Sequence, residues 1–259
     1  MAPVLLTLKA FLLFFAFAFA IFFIRQIVYG RTHHARVLKD GGTPLFAGKL
    51  LMDFAYWLLS PIEKLLVACK ISPDSISIFC MVLSLIAGGV VAGGNLFAAS
   101  LVWMFGSAMD ALDGLVARAQ GRVSKFGEVL DSTVDRVSEL AIFSGFIIYY
   151  RSDSIALGSV LLALWGSVLT SYISAKGEIL RIQLPRGIMR RAERAVYLGV
   201  AMFVSPLWVA YGYEERAALV GALPKSFPVF CVILLIGVVS NLSSIYRLVW
   251  LRKKLNVEK

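Results

Sequence analysis

Four long runs of apolar residues constrain the fold of this chain more than any other feature. They cover residues 11–24, 76–103, 155–172 and 229–242, and none of them contains a charged residue. Each run is long enough to form the centre of a transmembrane helix, or to hold more than one. Of the 259 residues, 59% are hydrophobic and 16% are charged, whereas soluble globular proteins have about 45–50% apolar and about 25% charged residues. The sequence therefore predicts an all-α integral membrane protein.

We predict seven transmembrane segments, at residues 4–27, 75–94, 96–119, 127–150, 154–176, 194–212 and 227–249. Between the first two, residues 45–68 repeat apolar side chains at helical spacing beside Lys49 and Asp53. This pattern is typical of an amphipathic helix in the membrane interface. We therefore expect an N-terminal anchor, a glycine-containing linker and a juxtamembrane helix over residues 1–70. A six-helix membrane domain follows over residues 71–259.

Loop charges alternate along the chain, whose net charge is +10. Basic residues concentrate in the linker, in the loop at 119–126, in the stretch 176–194 and in the C-terminal tail, while the intervening loops carry little net charge. Because Lys and Arg collect on cytoplasmic loops, we predict a multi-pass protein of the cell (inner) membrane with these loops in the cytoplasm. Such charge also attracts anionic lipids and substrates. No basic stretch interleaved with aromatic residues indicates nucleic-acid binding.

Four aspartates lie within two consecutive predicted spans. Asp110 and Asp113 are three residues apart near the end of one span, and Asp131 and Asp135 are four apart near the start of the next, so each pair shares a helix face. The short loop between the spans makes the two helices antiparallel neighbours, with both pairs at comparable depth. A carboxylate at the membrane centre costs about 2.5–3.5 kcal/mol, so we expect a cavity with bound cations. Four hard oxygen ligands suit two Mg²⁺ or Mn²⁺ ions.

Small residues accompany the two acidic faces. Gly114, Ala117 and Gly127 fall on or near them, where they let helices approach and leave room for a bulky ligand. Arg118 lies one turn beyond Gly114, in a position to bind phosphate through two hydrogen bonds.

A fifth acidic residue, Glu139, follows Asp135 by four residues. This spacing places it on the same face of the predicted helix. Its carboxylate either extends the acidic face or pairs with Arg136 or Lys125.

The spacing of these residues resembles a family signature. Residues 110–135 read DALDGLVARAQGRVSKFGEVLDSTVD, which is similar to the pattern D-x2-D-G-x2-A-R-x8-G-x3-D-x3-D of the CDP-alcohol phosphotransferases and matches all eight of its fixed positions. The six predicted spans from about 75 to 249 correspond to the membrane core of that family.

The resemblance implies roles for the matched residues. The four aspartates would bind two metal ions, and Asp135 would also be the general base. The cytidine diphosphate of the donor would lie against two groups of residues: Gly114, Ala117, Arg118, Ser124 and Gly127, and the start of the first core helix at Pro73, Asp74, Ser75 and Ile76.

The resemblance also implies a reaction in phospholipid biosynthesis. The donor would be a CDP-activated lipid, either CDP-diacylglycerol or CDP-archaeol, and the acceptor the hydroxyl of a polar alcohol. The enzyme would transfer the phosphatidyl-type group directly, without a covalent intermediate, and release CMP. Members of the family also suggest a homodimer.

Two further stretches resemble one branch of the family. Residues 171–178, SYISAKGE, are similar to an S-Y-x-x-A-[KR]-x-E stretch, and residues 187–194, GIMRRAER, to an R-x-E-R stretch. Both occur in the branch that makes phosphatidylinositol phosphate or archaetidylinositol phosphate from inositol phosphate, where a basic residue is common at the position of Ser174. This implies that Lys176, Arg191 and Arg194 bind the acceptor phosphate. Glycerol 3-phosphate, which gives phosphatidylglycerophosphate, is the alternative acceptor.

Two other classes of protein share part of this pattern. Intramembrane prenyltransferases also bind diphosphates through Mg²⁺ and paired aspartates, but their two motifs lie far apart in sequence and lack the Gly-x-x-Ala-Arg link. An ion transporter would account for carboxylates inside the membrane but has no need of that link. Release of CMP separates both alternatives from the transferase.

Overall fold

The computed structural model describes residues 2–28, 48–185, 187–210 and 224–257. Within those ranges it contains eight α-helices and no strand, which confirms the predicted all-α class. The helices are α1 (Ala2–Val28), α2 (Gly48–Ala68), α3 (Pro73–Ala92), α4 (Leu96–Ala119), α5 (Lys125–Tyr149), α6 (Ser154–Ile179), α7 (Arg191–Ala210) and α8 (Phe227–Val257). The predicted glycine-containing linker lies outside the described residues.

Four of the described helices are long and apolar enough to cross a membrane, namely α3, α4, α6 and α8. The apolar stretch described in α1, Leu13–Val28, is shorter. Helices α5 and α7 are less apolar because both begin with charged residues that belong to the site described below. The chain is therefore an integral membrane protein with charged groups gathered at particular helix ends.

Side-chain caps and one glycine fix the helix ends around these charged groups. Ser72 Oγ accepts a hydrogen bond from the backbone N–H of Ser75 at 3.2 Å and begins α3, and Ser124 Oγ accepts from that of Gly127 at 3.0 Å and begins α5. Such caps satisfy N–H groups that have no partner within the helix. Between α4 and α5, Gly121 has a φ of 65°, which glycine adopts without strain. The turn is therefore tight. The two helices are not the direct neighbours that the sequence predicted, however, because both pack on α3 far more than on each other.

Small residues allow close packing of the helices. Helix α3 packs on α4 and α5, and α6 packs on α8. A Cβ on Gly145 of α5 would overlap the carbonyl group of Gly88 of α3. Between α6 and α8, the hydroxyls of Thr170 and Ser244 form a hydrogen bond of 2.8 Å. Close approach and hydrogen bonding hold helices together where lipid provides no hydrophobic drive.

The N-terminal helices join this bundle through apolar side chains. Phe22 of α1 is 1% exposed and lies against Phe54 and Trp57 of α2, with ring centroids 5.5 and 5.7 Å away. Further along α2, Leu59 belongs to a buried cluster with Leu112 of α4. Helix α2 therefore connects α1 with the helix that carries Asp110 and Asp113.

Candidate active site

Three of the four signature aspartates converge between α4 and α5. Asp110, Asp113 and Asp131 each offer a carboxylate oxygen, and these oxygens lie within 4.8 Å of one another. Asp113 is buried, Asp110 is half-buried and Asp131 is exposed. Carboxylates at such distances repel one another, and hard oxygen ligands of this kind suit divalent cations such as Mg²⁺ and Mn²⁺. The donor set therefore fits the predicted metal.

Hydrogen bonds orient both oxygens of Asp113. Ser77 Oγ of α3 donates to Oδ2 at 2.6 Å, and the backbone N–H of Gly114 donates to Oδ1. The sequence did not point to Ser77, because spacing along the chain does not say which face of α3 packs on α4. Its one signal is a hydroxyl one turn after Pro73 in an otherwise apolar run.

The fourth aspartate is connected to the cluster through an arginine. Arg191, the first residue of α7, donates from Nη1 to Asp110 Oδ2 at 2.7 Å. The same nitrogen also forms an ion pair with Asp135. Asp135 thus lies beside the three converging carboxylates, and Arg191 bridges it to Asp110.

Residues predicted to bind the nucleotide meet where α3 and α5 begin. A Cβ placed on Gly127 would lie 3.2 Å from Ser124 Oγ and 3.8 Å from Asp74 Oδ1. Ser75 Oγ shares a hydrogen bond of 2.7 Å with Ser72 Oγ, whereas the side chain of Ile76 is buried in the apolar cluster below. The two helix starts therefore form one polar surface.

The last turns of α4 carry the remaining nucleotide candidates. Gly114 and Ala117 are half-buried, and Arg118 is exposed. Beyond them, Gln120 Nε2 donates to the carbonyl of Ile71 at 3.0 Å. This bond ties the end of α4 to the segment that precedes α3.

The three residues predicted to bind the acceptor phosphate have different surroundings. Arg191 contacts the aspartates, and Lys176 is exposed with its Nζ 5.5 Å from the centroid of the Tyr172 ring. Arg194 is 4% exposed, and its Nε donates to Glu139 Oε1 at 2.8 Å. Its Nη1 donates to a backbone carbonyl at 2.8 Å. The structure therefore does not gather these three cations around one point.

Glu139 has a partner that the sequence did not indicate. Neither Arg136 nor Lys125 pairs with it. Arg136 instead donates to the carbonyl of Ser132, and Arg194 from α7 takes the carboxylate. The pair of Glu139 and Arg194 could not be predicted because the two residues are 55 positions apart in sequence.

A basic cavity opens at the same end of the bundle. It has a volume of about 470 Å³ and lies between the end of α6, the segment that follows it and the end of α8. Its charged lining residues are Glu178, Arg181, Arg190 and Arg247. Arg247 is 9% exposed, and its Nη1 donates to Ser174 Oγ at 2.8 Å. Its Nε has no hydrogen-bond partner among the described residues.

From its position in the sequence, Arg247 is only one of the basic residues near the C-terminal tail. The structure places it against Ser174, the position where the inositol phosphate branch commonly has a basic residue. A cation from α8 therefore stands beside the serine of α6. This combination suits an anionic ligand.

Comparison with known proteins agrees with this arrangement. A family model described as CDP-alcohol phosphatidyltransferase matches residues 70–219. The chain is 28% identical over 162 residues to the phosphatidylinositol phosphate synthase of Corynebacterium glutamicum, which covers 61% of this chain and 74% of that protein. It is 35% identical over 150 residues to the archaetidylinositol phosphate synthase of Pyrococcus horikoshii. That alignment covers 55% of this chain and 75% of that protein.

Solved structures show the same likeness. The Mycobacterium tuberculosis phosphatidylinositol phosphate synthase with CDP-DAG bound aligns with a TM-score of 0.61 at 28% identity, over 73% of this chain and 90% of that chain. The same enzyme in complex with manganese and citrate aligns with a TM-score of 0.62, also at 28% identity, over 73% of this chain and 86% of that chain. Both alignments cover most of the crystallised protein.

Proposed function

Because this chain belongs to the CDP-alcohol phosphatidyltransferase family, we propose that it transfers a phosphatidyl-type group from a CDP-activated lipid to inositol phosphate and releases CMP. The observation that carries this proposal is the convergence of Asp110, Asp113 and Asp131 within 4.8 Å, beside the rest of the family signature. The relatives named above support the acceptor. CDP-diacylglycerol and CDP-archaeol are both compatible with them as donors.

The aspartates would hold the divalent cations. Asp110, Asp113 and Asp131 are three of the proposed metal ligands, and Asp135 is the fourth. When bound, Mg²⁺ or Mn²⁺ would neutralise the diphosphate of the donor and stabilise the charge on the leaving group. The manganese complex of the mycobacterial synthase supports this assignment.

Residues of this chain would bind the donor and move one proton. Arg118 would bind the diphosphate, with Gly114 and Ala117 leaving space beside it, and the start of α3 and the α5 cap would face the nucleotide. The acceptor oxygen would form a bond to the lipid-bearing phosphorus while the bond from that phosphorus to the CMP oxygen breaks. Asp135 would accept the hydroxyl proton.

The phosphate on the acceptor would be bound by basic residues. Lys176, Arg191 and Arg194 remain the proposed residues, and Arg190 and Arg247 join them because they line the adjacent cavity. The buried Arg247 guanidinium has an unused donor, and a phosphate oxygen is the kind of acceptor that it binds well.

The proposal extends to topology and assembly. Helices α3 to α8 would form the six-helix membrane domain of residues 71–259, with α1 as an anchor and α2 in the interface. The site would face the cytoplasm of the cell (inner) membrane, since the described basic segments at 119–125 and 176–185 and the basic end of α8 lie at its end of the bundle. The family resemblance supports a homodimer, which a mass measurement of the detergent-solubilised protein tests.

The decisive experiment measures CMP. Purified protein is given Mg²⁺, one donor at a time (CDP-diacylglycerol or CDP-archaeol) and one acceptor at a time: inositol phosphate, inositol or glycerol 3-phosphate. We expect CMP with inositol phosphate and none when Asp113→Asn replaces the wild type. CMP with glycerol 3-phosphate alone would keep the reaction and change the acceptor. A folded preparation that releases no CMP with any acceptor would point to a prenyltransferase or a transporter instead.

A further inference from the structure

Arg191 binds two of the carboxylates that a metal site would use. Its Nη1 donates to Asp110 Oδ2 at 2.7 Å, and its Nη2 lies 3.4 Å from Asp110 Oδ1. Nη1 also pairs with Asp135. Both oxygens of Asp110 therefore face the same guanidinium, which neutralises part of the acidic cluster from within the chain.

A divalent cation that binds the same oxygens competes with this guanidinium. It takes lone pairs that Arg191 uses, and the two positive charges repel each other. Asp113 is outside the competition because its oxygens accept from Ser77 and the Gly114 N–H. The competition is thus confined to the Asp110 and Asp135 side of the cluster.

The backbone around Arg191 is fixed, so only its side chain has to move. Arg194, one turn later, is held by Glu139. The backbone N–H of Arg190 donates to Glu193 Oε2 at 3.0 Å. Arg190 itself lines the basic cavity, so α7 begins beside both the aspartates and that cavity. Rotation of the Arg191 side chain alone would move its guanidinium from the aspartates to an anion bound near the basic cavity.

We propose that Arg191 is an internal counter-ion that a divalent cation displaces, and that the displaced guanidinium then binds the phosphate of the acceptor. Cation and acceptor bind cooperatively as a result, because each favours the position of Arg191 that the other requires. The identity of the acceptor rests on the proposed function. The competition between Arg191 and the cation does not.

Titration with Mn²⁺, followed by electron paramagnetic resonance, measures this competition in the purified full-length protein. Of the two proposed Mn²⁺ ions, the more weakly bound one should bind to Arg191→Gln at least about fivefold more tightly than to the wild type. Coupling between sites commonly amounts to about 5–150-fold. Inositol phosphate should raise the Mn²⁺ affinity of the wild type and leave that of Arg191→Gln unchanged. Equal or weaker Mn²⁺ binding by the variant, or a full response to inositol phosphate, overturns the proposal.

Two further variants make the test specific. Arg136→Gln removes the same charge next to Asp135, but from a side chain that donates to the Ser132 carbonyl, so its Mn²⁺ affinity should equal that of the wild type. If the Mn²⁺ affinity of Arg136→Gln rose as much as that of Arg191→Gln, the effect would come from net charge alone, and the proposal would be overturned. Arg191→Lys keeps the charge without the two-pronged geometry, and its affinity should be intermediate. An unchanged affinity in the lysine variant contradicts the competition even if the glutamine variant does not fold.

These measurements need no turnover, so they separate the two proposals. Mn²⁺ competition without any CMP release contradicts the proposed function alone. CMP release with Mn²⁺ binding that is indifferent to Arg191 contradicts the counter-ion alone.

Discussion

Asp113 accepts a hydrogen bond on each of its two carboxylate oxygens. One oxygen accepts from Ser77 on another helix and the other from the Gly114 N–H. A buried carboxylate without such donors would have its charge unsatisfied. Ser77 therefore positions a proposed metal ligand without being a ligand itself, and it does so from outside the family signature.

We expect Ser77→Ala to weaken Mn²⁺ binding by roughly 10–100-fold, the loss that is typical when a hydrogen bond that orients a metal ligand is removed. Ser84→Ala is the matched control, because Ser84 is also a buried serine of α3 but donates to the carbonyl of Cys80 within its own helix at 2.9 Å. Mn²⁺ titration of both variants measures the effect. Equal affinities would show that the Ser77 bond does not organise the site.

Asp135 differs from Asp113 because an arginine, not a hydroxyl and an amide, is its partner. As the proposed base it should be needed for proton transfer more than for holding the donor. Asp135→Asn should therefore keep its affinity for CDP-diacylglycerol and lose about 10²–10⁴-fold in rate. Parallel measurements of donor binding and CMP release check this. A rate near that of the wild type would remove Asp135 from the role of base.

At the scale of elements, the pair of Arg194 and Glu139 joins α7 to α5 behind the aspartates. Their side chains are 5% and 11% exposed, so removal of either partner leaves a buried charge unpaired. We expect Arg194→Met to lower the free energy of unfolding by about 3–5 kcal/mol. Thermal unfolding in detergent gives the relative loss.

Replacement of both residues separates structure from binding. Arg194→Met with Glu139→Leu should recover most of the lost stability, because no unpaired charge remains. If Arg194 also binds the acceptor, as its place in the R-x-E-R stretch implies, the double variant should still need more inositol phosphate for half-maximal rate. An unchanged requirement would make the residue purely structural.

The convergence of three signature aspartates could be predicted because their two helices are joined by one short turn, although α4 and α5 pack on α3 far more than on each other. The spacing of Asp110 to Asp135 and one short turn place the carboxylates together, and the observed bounds of α4, Leu96–Ala119, agree with the predicted span. Ser77, Arg191 and Arg247, by contrast, lie on the three helices α3, α7 and α8. Periodicity shows which face of a helix is apolar, but not which polar side chain of another helix will lie opposite. Those contacts depend on packing between distant segments.

The charged side chains of the proposed site all lie at one end of the helix bundle. The starts of α3, α5 and α7 meet the ends of α4, α6 and α8 there, through contacts such as Ser77 with Asp113, Arg191 with Asp110 and Arg247 with Ser174. The opposite end holds the loop that follows α5, where Asp153 caps α6. The two ends should therefore face different compartments.

Cysteine accessibility tests this orientation with little disturbance of the chain. Cys69, beside the turn between α2 and α3, is exposed, whereas Cys80 is buried. Cys231 of α8 is also exposed, so it is replaced by serine in every protein used for this test. A thiol reagent that does not cross membranes should label Cys69 in inverted membrane vesicles and not in intact cells, because basic loops stay in the cytoplasm. In a Cys69→Ser background, Ser152→Cys in the exposed loop after α5 should show the opposite pattern. If both positions were labelled from the same side, an even number of the three helices α3, α4 and α5 would cross the membrane, and the proposed six-helix topology with its cytoplasmic site would be wrong.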